Sequence, residues 1–200
     1  MFALHRIAVI AVAVMAASLV SGAAAAAAFS DDFEDGDLAG WSSTGDGSWN
    51  VVTDGTLALR QSWGSSSNAR LFTGTATWAS YTVQARVKPI TFAVGSHIGL
   101  LARAGGPSKY YRLALLPDSQ IQLHAVNGHA VTVLASATHT IDTLVWYTLT
   151  LRVHGTQLQA SIDGVPVLQA TSTLASSGQI GLQTAFATAS FDDITVTFTP

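Results

Sequence analysis

Apolar and polar side chains alternate one by one through much of this chain, and that alternation limits the folds it can adopt. The pattern is clear in residues 81–87, 120–124 and 148–153. Successive side chains of an extended strand point to opposite faces of a sheet, so a period of two predicts strands with one buried face. No stretch after residue 28 has the apolar spacing of an amphipathic helix.

Turn signals separate these runs at short intervals. Asp-Gly or Asn-Gly pairs occur at residues 54–55, 127–128 and 163–164, each between two strand-like segments. With 127–128 as a two-residue turn, Val126 would pair with His129. About twelve short strands in one domain predict an all-β fold, an antiparallel two-sheet jelly-roll sandwich.

The first 28 residues have the layout of a secretory signal. His5 and Arg6 precede an apolar stretch at residues 7–20, and small residues follow up to Ala28. We therefore expect a signal peptide at 1–28, one mature domain at 29–200, and a secreted or periplasmic protein that does not stay at the membrane after cleavage. An uncleaved anchor is the alternative.

Composition excludes several kinds of function. The chain has no Cys, so it can form neither disulfides nor a thiolate site. Charged residues make up 10% of the sequence, and Lys and Arg are scattered singly. Nucleic-acid binding needs clustered positive charge, so we do not expect a nucleic-acid partner.

The carboxylates, in contrast, are gathered near the two ends of the mature chain. Eight of the twelve lie there: Asp31, Asp32, Glu34, Asp35, Asp37, Asp46, Asp192 and Asp193. Carboxylates repel one another, so such clusters are either neutralised by a cation or spread into water. If the ends of the chain meet in space, the clusters form a metal site; otherwise they are solvated turns.

Several motifs follow one another in a recognisable order: Asp32-Phe33-Glu34-Asp35-Gly36, then Tyr110-Tyr111-Arg112-Leu113, then Phe191-Asp192-Asp193-Ile194. Their order and spacing resemble the concanavalin A-like, or laminin-G-like, jelly-roll domains of bacterial secreted proteins. Such domains are described as family 16 glycoside hydrolase-like, 3-keto-disaccharide hydrolase-like or carbohydrate-binding. The resemblance covers residues 31–198.

This resemblance implies that the first and last strands lie side by side, which would bring the two acidic clusters together. Calcium takes about six to eight oxygen ligands in proteins. We therefore expect Asp32, Glu34 and Asp193 to bind a structural Ca²⁺ that ties the two ends together. Asp35 or Asp54 could substitute as a ligand, and solvated carboxylates are the alternative.

The resemblance does not assign a catalytic residue. Glycosidases place two carboxylates beside the bond that they cleave, yet Glu34 is the one Glu of the chain and no acid lies between residues 56 and 117. Alginate lyases of the same fold use an Arg-rich strand, a Gln-x-His motif and a Tyr. Gln122-Leu123-His124 and Tyr110 match this in part, but the Arg-Glu pattern is missing.

Carbohydrate binding fits the sequence better, because sugar sites combine aromatic platforms with polar side chains. Trp63 lies in a polar, loop-like stretch, where it is either a ligand platform or a cap over the sandwich edge. Arg103 and Tyr110 flank one loop, and Arg112 shares a strand face with Tyr110. The structural alternative for these residues is an Arg that stacks on Tyr across a hairpin.

His124 completes the set of candidate ligand-binding residues. With the turn at 127–128 it would share a face with His129, as a solvated pair or as part of a zinc site that lacks a third ligand. The sequence thus predicts a secreted monomer that binds a polysaccharide or oligosaccharide. A polysaccharide-active lyase or hydrolase with a divergent site, and a protein-binding laminin-G-like adhesion domain, are the alternatives.

Overall fold

The structure, a computed structural model, describes residues 27–198. The predicted signal peptide at 1–28 therefore lies almost wholly outside the described residues. Between residues 27 and 198 no helix is long and apolar enough to cross a membrane. Every regular secondary-structure element within residues 27–198 is a β-strand, as the period of two predicts.

Thirteen strands follow one another, against the roughly twelve predicted. Their bounds are β1 Phe29–Asp31, β2 Ser42–Thr44, β3 Trp49–Asp54, β4 Thr56–Gln61, β5 Ala69–Thr73, β6 Tyr81–Ala104, β7 Lys109–Leu116, β8 Gln120–Asn127, β9 Ala130–Thr138, β10 Tyr147–His154, β11 Gln157–Ile162, β12 Val165–Thr171 and β13 Gln179–Phe198.

Two long strands, β6 and β13, pair antiparallel with each other and run through both layers of the sandwich. In the first layer, the start of β6 is followed by β10, β11 and β12, and the end of β13 pairs with β1 and β4, with β3 beyond. In the second layer, the end of β6 is followed by β7, β8 and β9, and the start of β13 is followed by β5 and β2. The predicted antiparallel two-sheet sandwich is confirmed.

The β6–β13 ribbon passes from one layer to the other where both strands lose regular geometry. Gly95 in β6 has a φ of +74°. Phe186 in β13 has a φ of +48°, at a register shift between Ala185 and Ala187. Bulges of this kind bend a strand and increase its twist, so they allow one ribbon to serve two sheets.

The core lies between the two layers and is mainly aliphatic. Val83 and Leu149 of the first layer belong to the same buried cluster as Leu100 and Leu113 of the second. In each strand the alternate residues point away from this core, which is the structural basis of the period of two. Because the chain has no Cys, close packing of this core stabilises the fold without a disulfide.

The two ends of the domain meet, as the resemblance implies. Strand β1 pairs with the end of β13, so that Phe29 lies opposite Val196 and Asp31 lies opposite Ile194. The backbone N–H of Ala28 extends the pairing by donating to the carbonyl of Val196 at 2.7 Å.

The predicted register of the β8–β9 hairpin is wrong by one residue on each side of the turn. Asn127 pairs with Ala130, so Gly128 and His129 form the tip, and Val126 pairs with Val131 rather than with His129. Gly128 takes a φ of +64°, which a glycine adopts at little cost. The predicted pair of solvated histidines does not form, because His129 is exposed at the tip and His124 is buried.

Candidate functional site

A polar cluster centred on Arg112 lies on the outer face of the second layer, the face that points away from the core. The Arg112 guanidinium donates from Nη1 to Gln183 Oε1 at 3.0 Å and to His97 Nε2 at 2.7 Å. Nε and Nη2 both donate to His124 Nδ1, at 3.1 and 2.9 Å. We call His97, Arg112, His124 and Gln183 the Arg112 cluster.

The sheet register brings this cluster together from four adjacent strands. His124 in β8 lies directly opposite Arg112 in β7, and Gln183 in β13 lies opposite Gly99 in β6. Gly99 leaves room for the Arg112 stem, since a Cβ at residue 99 would lie 2.8 Å from Arg112 Cδ. The missing side chain therefore lets the arginine lie across β6 and reach Gln183 and His97.

The cluster is held neutral except for its guanidinium. Burial and the nearby Arg112 charge lower the pKa of His97 to about 3, and the same causes lower the pKa of His124 to about 4. Each nitrogen that faces Arg112 must accept, because arginine can only donate. Nε2 of His124 therefore carries the proton and donates to Gln122 Oε1 at 2.7 Å.

Arg70 adds a second positive charge to the same face. It lies in β5 opposite Gln183, and its guanidinium carbon is 5.9 Å from the centre of the Tyr110 ring. Arg70 is 9% exposed, and its Nε has no hydrogen-bond partner. Across residues 27–198, no ion pair includes Arg70 or Arg112; the ion pairs involve Arg60, Arg86 and Lys88.

An apolar strip borders the charged part of this face. Phe72, Leu101, Tyr110 and Val126 form a small buried cluster separate from the main core. The strip continues onto β9, where Val131 pairs with Val126 and is half exposed. Polar donors and an apolar surface therefore lie side by side on one sheet face.

Two exposed aromatic residues lie on segments connected to this cluster: Phe186 follows Ala185, the residue opposite His97, and Trp63 lies in the loop at residues 62–68. Trp63 is 48% exposed and Phe186 is 43% exposed. The Phe186 N–H donates to the carbonyl of Ser66 at 2.7 Å, which joins the bend of β13 to residues 62–68, the loop that carries Trp63. The positive φ of Phe186 belongs to the bulge at which β13 bends between the two layers.

The loop at residues 62–68 also connects to the Arg112 cluster. Gln183 Nε2 donates to Asn68 Oδ1 at 2.8 Å, while its Oε1 accepts from Arg112. The structure thus brings three of the sequence candidates, Tyr110, Arg112 and His124, onto one face, and it places Trp63 on a loop that is hydrogen-bonded to the same cluster. Tyr110 stacks with Arg70 rather than with an arginine of its own hairpin.

Arg103 lies elsewhere and has other partners. It is fully buried at the end of β6, where its guanidinium donates to the carbonyls of Ala79, Gly155 and Ala175. These contacts tie three loops together beside an open groove of about 360 Å³ that Arg103 helps to line. Ligand binding by Arg103 stays a prediction.

The acidic end of the sandwich has a groove of about 420 Å³ lined by Asp31, Asp32, Asp35 and Asp193. Glu34 points elsewhere, since its Oε1 accepts from the Leu57 N–H at 2.9 Å. Asp193 pairs with Arg86 at 3.2 Å.

The predicted calcium trio, Asp32, Glu34 and Asp193, therefore does not converge in this arrangement. Within the described chain, no three His, Asp or Glu side chains are grouped closely enough to hold a metal ion. Calcium binding stays a prediction, which a titration with and without EDTA would test.

The sequence interpretation missed Arg70, His97, Gln183 and Phe186. Arg70, His97 and Gln183 are polar residues in largely apolar strands, and this contrast is the sequence signal that could have identified them. Their meeting depends on the order β5–β13–β6–β7–β8, which joins strands far apart in sequence. No sequence pattern marks the bulge at Phe186.

Solved structures with the same fold include several glycan-related proteins. The carbohydrate-binding module CBM66 from Bacillus subtilis is 19% identical with a TM-score of 0.70, over 79% of this chain and 95% of that one. Domain 4 of AbnA, a GH43 extracellular arabinanase from Geobacillus stearothermophilus solved with arabinotriose, is 16% identical with a TM-score of 0.63, over 87% and 93%. A Bacillus licheniformis beta-glucanase is 13% identical with a TM-score of 0.65, over 86% and 98%.

Sequence comparison gives the family. The search of curated proteins gave no match. The model of the 3-keto-alpha-glucoside-1,2-lyase-like domain matches residues 28–197, which is nearly the whole of the described chain. The chain therefore belongs to the family of 3-keto-alpha-glucoside-1,2-lyase-like domains.

Proposed function

We propose that this protein binds carbohydrate chains on the outer face of its second layer. The observation that carries the proposal is the Arg112 cluster itself, which an apolar strip borders and to which the loop with the exposed Trp63 is hydrogen-bonded. A sugar ring has apolar faces and a rim of hydroxyls, so its sites pair aromatic or apolar surface with a few fixed polar groups. Trp63 would stack on a ring, and His97, Gln183 and Arg112 would contact hydroxyls.

Proteins of the same fold support this proposal by their own described properties. CBM66 is a carbohydrate-binding module, and the arabinanase domain was solved with a bound trisaccharide. Both are too distant in sequence for their ligands to be transferred to this chain.

The geometry of the histidines favours binding over catalysis. The family name refers to a lyase, and a lyase needs a general base with a free lone pair to remove a proton. In the Arg112 cluster, His97 Nε2 and His124 Nδ1 both accept hydrogen bonds from Arg112. Their low pKa values also make both imidazoles weak bases. A carboxylate pair is missing as well, since strands β5 to β9 contain no Asp or Glu.

The proposal includes secretion. It rests on the pattern of residues 1–28 and on the extracellular position of most polysaccharides. N-terminal sequencing of protein from the culture medium would test it, with a mature start near Phe29 expected.

The binding proposal is tested by affinity electrophoresis of residues 29–200 in gels that contain dextran, arabinan, mixed-linkage glucan, polygalacturonate or dextran sulfate. We expect retention by at least one polysaccharide, without release of oligosaccharides. Trp63→Ala should reduce that retention several-fold, since a stacked aromatic contributes about 0.5–1.5 kcal/mol beyond its buried area. Leu144→Ala removes an apolar side chain that is 67% exposed, against 48% for Trp63, at a position far along the sequence, and serves as the control.

Two results would contradict the proposal. No retention by any polysaccharide would remove it, and so would retention that Trp63→Ala and Leu144→Ala lower equally. Release of oligosaccharides would favour the enzyme alternative.

A further inference from the structure

We infer that the carbohydrate bound at the Arg112 cluster is acidic and carries carboxylate or sulfate groups that contact Arg70 and Arg112. This inference rests on the proposed function and names the chemical class of its ligand. It follows from two positively charged side chains on one face for which the described chain supplies no negative partner.

Within the described residues, two buried positive charges on this face lack a counter-charge. Arg112 is 5% exposed and Arg70 is 9% exposed. A buried charge is costly unless it is paired, and buried arginines are usually found with carboxylates. Here the acceptors around Arg112 are two neutral imidazoles and an amide, which satisfy hydrogen bonds but leave the positive charge uncompensated.

The two positive charges also lie close together. Both arginines are neighbours of Gln183, since Arg70 pairs with it across the β5–β13 ladder and Arg112 donates to its side chain. Two like charges repel, and neutral neighbours do not remove that repulsion. An anionic group between them would stabilise both, and a carboxylate or sulfate can accept from two guanidinium groups at once.

Both arginines also have hydrogen-bond donors without an acceptor in the part of the chain that the structure describes. Arg112 has five N–H groups, of which Nε, both Nη1 protons and one Nη2 proton are used in the cluster. One Nη2 proton is left over. Arg70 Nε is buried with no partner at all. Unused donors on two arginines are what an oxyanion would engage.

The attraction for an anion is local and does not come from the protein as a whole. The full chain has a formal net charge of −3, and the acidic residues gather at the opposite ends of the domain sequence. A polyanion is therefore repelled by the average charge of the protein, so its binding would need a specific positive site. Variants that remove one arginine charge inside or outside the proposed site therefore show whether binding depends on that site.

The test compares acidic with neutral polysaccharides in affinity electrophoresis at about 0.15 M salt. Polygalacturonate supplies carboxylates, dextran sulfate supplies sulfates, and dextran and arabinan are neutral. We expect at least one acidic polymer to retain the wild type more strongly than the neutral ones. The two acidic arms separate a carboxylate ligand from a sulfate ligand.

The variants locate the site. Arg70→Gln should weaken retention by the acidic polymer by about tenfold to a hundredfold, the range expected for the loss of one hydrogen bond to a charged group. Arg112→Gln should act in the same direction, and a denaturation curve shows whether that variant is folded. Arg152→Gln removes the same charge from an exposed position on β10 in the first layer and should leave retention unchanged.

The outcomes separate this inference from the proposed function. Equal retention by neutral and acidic polymers, lost in Trp63→Ala, would overturn the acidic ligand and keep carbohydrate binding. Acidic retention that Arg70→Gln leaves unchanged, or that Arg152→Gln lowers as much, would also overturn the inference. No retention by any polymer would remove the proposed function itself.

Discussion

Arg112 and His124 are joined by two hydrogen bonds that end on one atom, since Nε and Nη2 of the arginine both donate to Nδ1 of the histidine. The two residues are direct partners across the β7–β8 ladder. This arrangement fixes the histidine as the tautomer protonated at Nε2 and aims the guanidinium along the sheet. A buried cation on an outer sheet face is thereby held in place without a carboxylate.

We predict that Arg112→Met lowers the free energy of unfolding by about 2–4 kcal/mol, because each buried acceptor left without a donor costs about 1–3 kcal/mol. The acceptors affected belong to His97, His124 and Gln183. Urea denaturation followed by tryptophan fluorescence measures the change. Arg152→Met, at an exposed site, should stay within about 0.5 kcal/mol of the wild type. An Arg112→Met variant as stable as the wild type would contradict the structural role of the cluster.

Arg70→Met should have the opposite effect on stability. The Arg70 Nε is buried without a partner, and its charge lies near that of Arg112. Replacing it by an apolar side chain of similar length removes an unsatisfied donor and a repulsion, so we expect unchanged or higher stability. The same denaturation series measures this, and a loss above about 1 kcal/mol would show that Arg70 has a partner that stabilises it.

The Arg112 cluster should make stability depend on pH. The pKa values of His97 and His124 in the folded protein are about 3 and about 4, below the ordinary value of 6.5. The unfolded chain therefore binds more protons below pH 6.5. The stability that the two neutral imidazoles contribute is fully present above pH 6.5. It is lost as the pH falls toward 4, by up to about 1.4 kcal/mol per pH unit for each histidine.

Denaturation at pH 7, 6 and 5 measures this slope. Replacing both histidines by glutamine should flatten it, and His129→Gln, at the exposed hairpin tip, should leave it unchanged. A wild-type free energy of unfolding that is constant between pH 7 and pH 5 would contradict the buried, neutral state of the two imidazoles.

Gly99 is predicted to be required for the position of Arg112. The added Cβ in Gly99→Ala would lie 2.8 Å from Cδ and 2.9 Å from Cγ of the arginine, so the side chain must move. We expect a destabilisation of about 1–3 kcal/mol, as for other overpacked sites, together with weaker retention by the bound polysaccharide. Gly105→Ala is the matched control, because its Cβ would meet one atom 4.0 Å away. If the polysaccharide retains Gly99→Ala as strongly as the wild type, Arg112 does not contribute to the binding site.

Strands could be predicted from the sequence where buried and exposed positions alternate, as in β10 over Tyr147–His154, whereas β5 is buried throughout and shows no such alternation. The turn register could not, since both Asn127-Gly128 and Gly128-His129 offer a glycine for the hairpin tip. The passage of β6 and β13 through both layers could not be predicted either. Bulges place Phe186 and Asp193 at positive φ. Phe rarely adopts this conformation, and Asp, which adopts it more often, is also common in ordinary turns, so neither residue marks a bulge in the sequence.

The candidate site was predicted in part. Tyr110 and Arg112 share a face because they are two residues apart in one strand, and parity alone gives that result. His97, Arg70 and Gln183 join them through pairing between distant strands, and strand order is not encoded in local periodicity. Trp63 was recognised from its polar surroundings, and the structure leaves it half exposed.

The most direct test of the account is NMR mapping of a soluble oligogalacturonate on the isotope-labelled domain. We predict that the ligand shifts the indole N–H signal of Trp63 and the methyl signals of Val131 and Val133, which lie on the exposed part of the proposed face. The methyl signals of Val165, exposed on β12 in the first layer, should not move. Shifts confined to Val165 and its neighbours would contradict an acidic carbohydrate site at the Arg112 cluster. The same holds if neither this ligand nor a sulfated dextran oligosaccharide causes shifts at saturation.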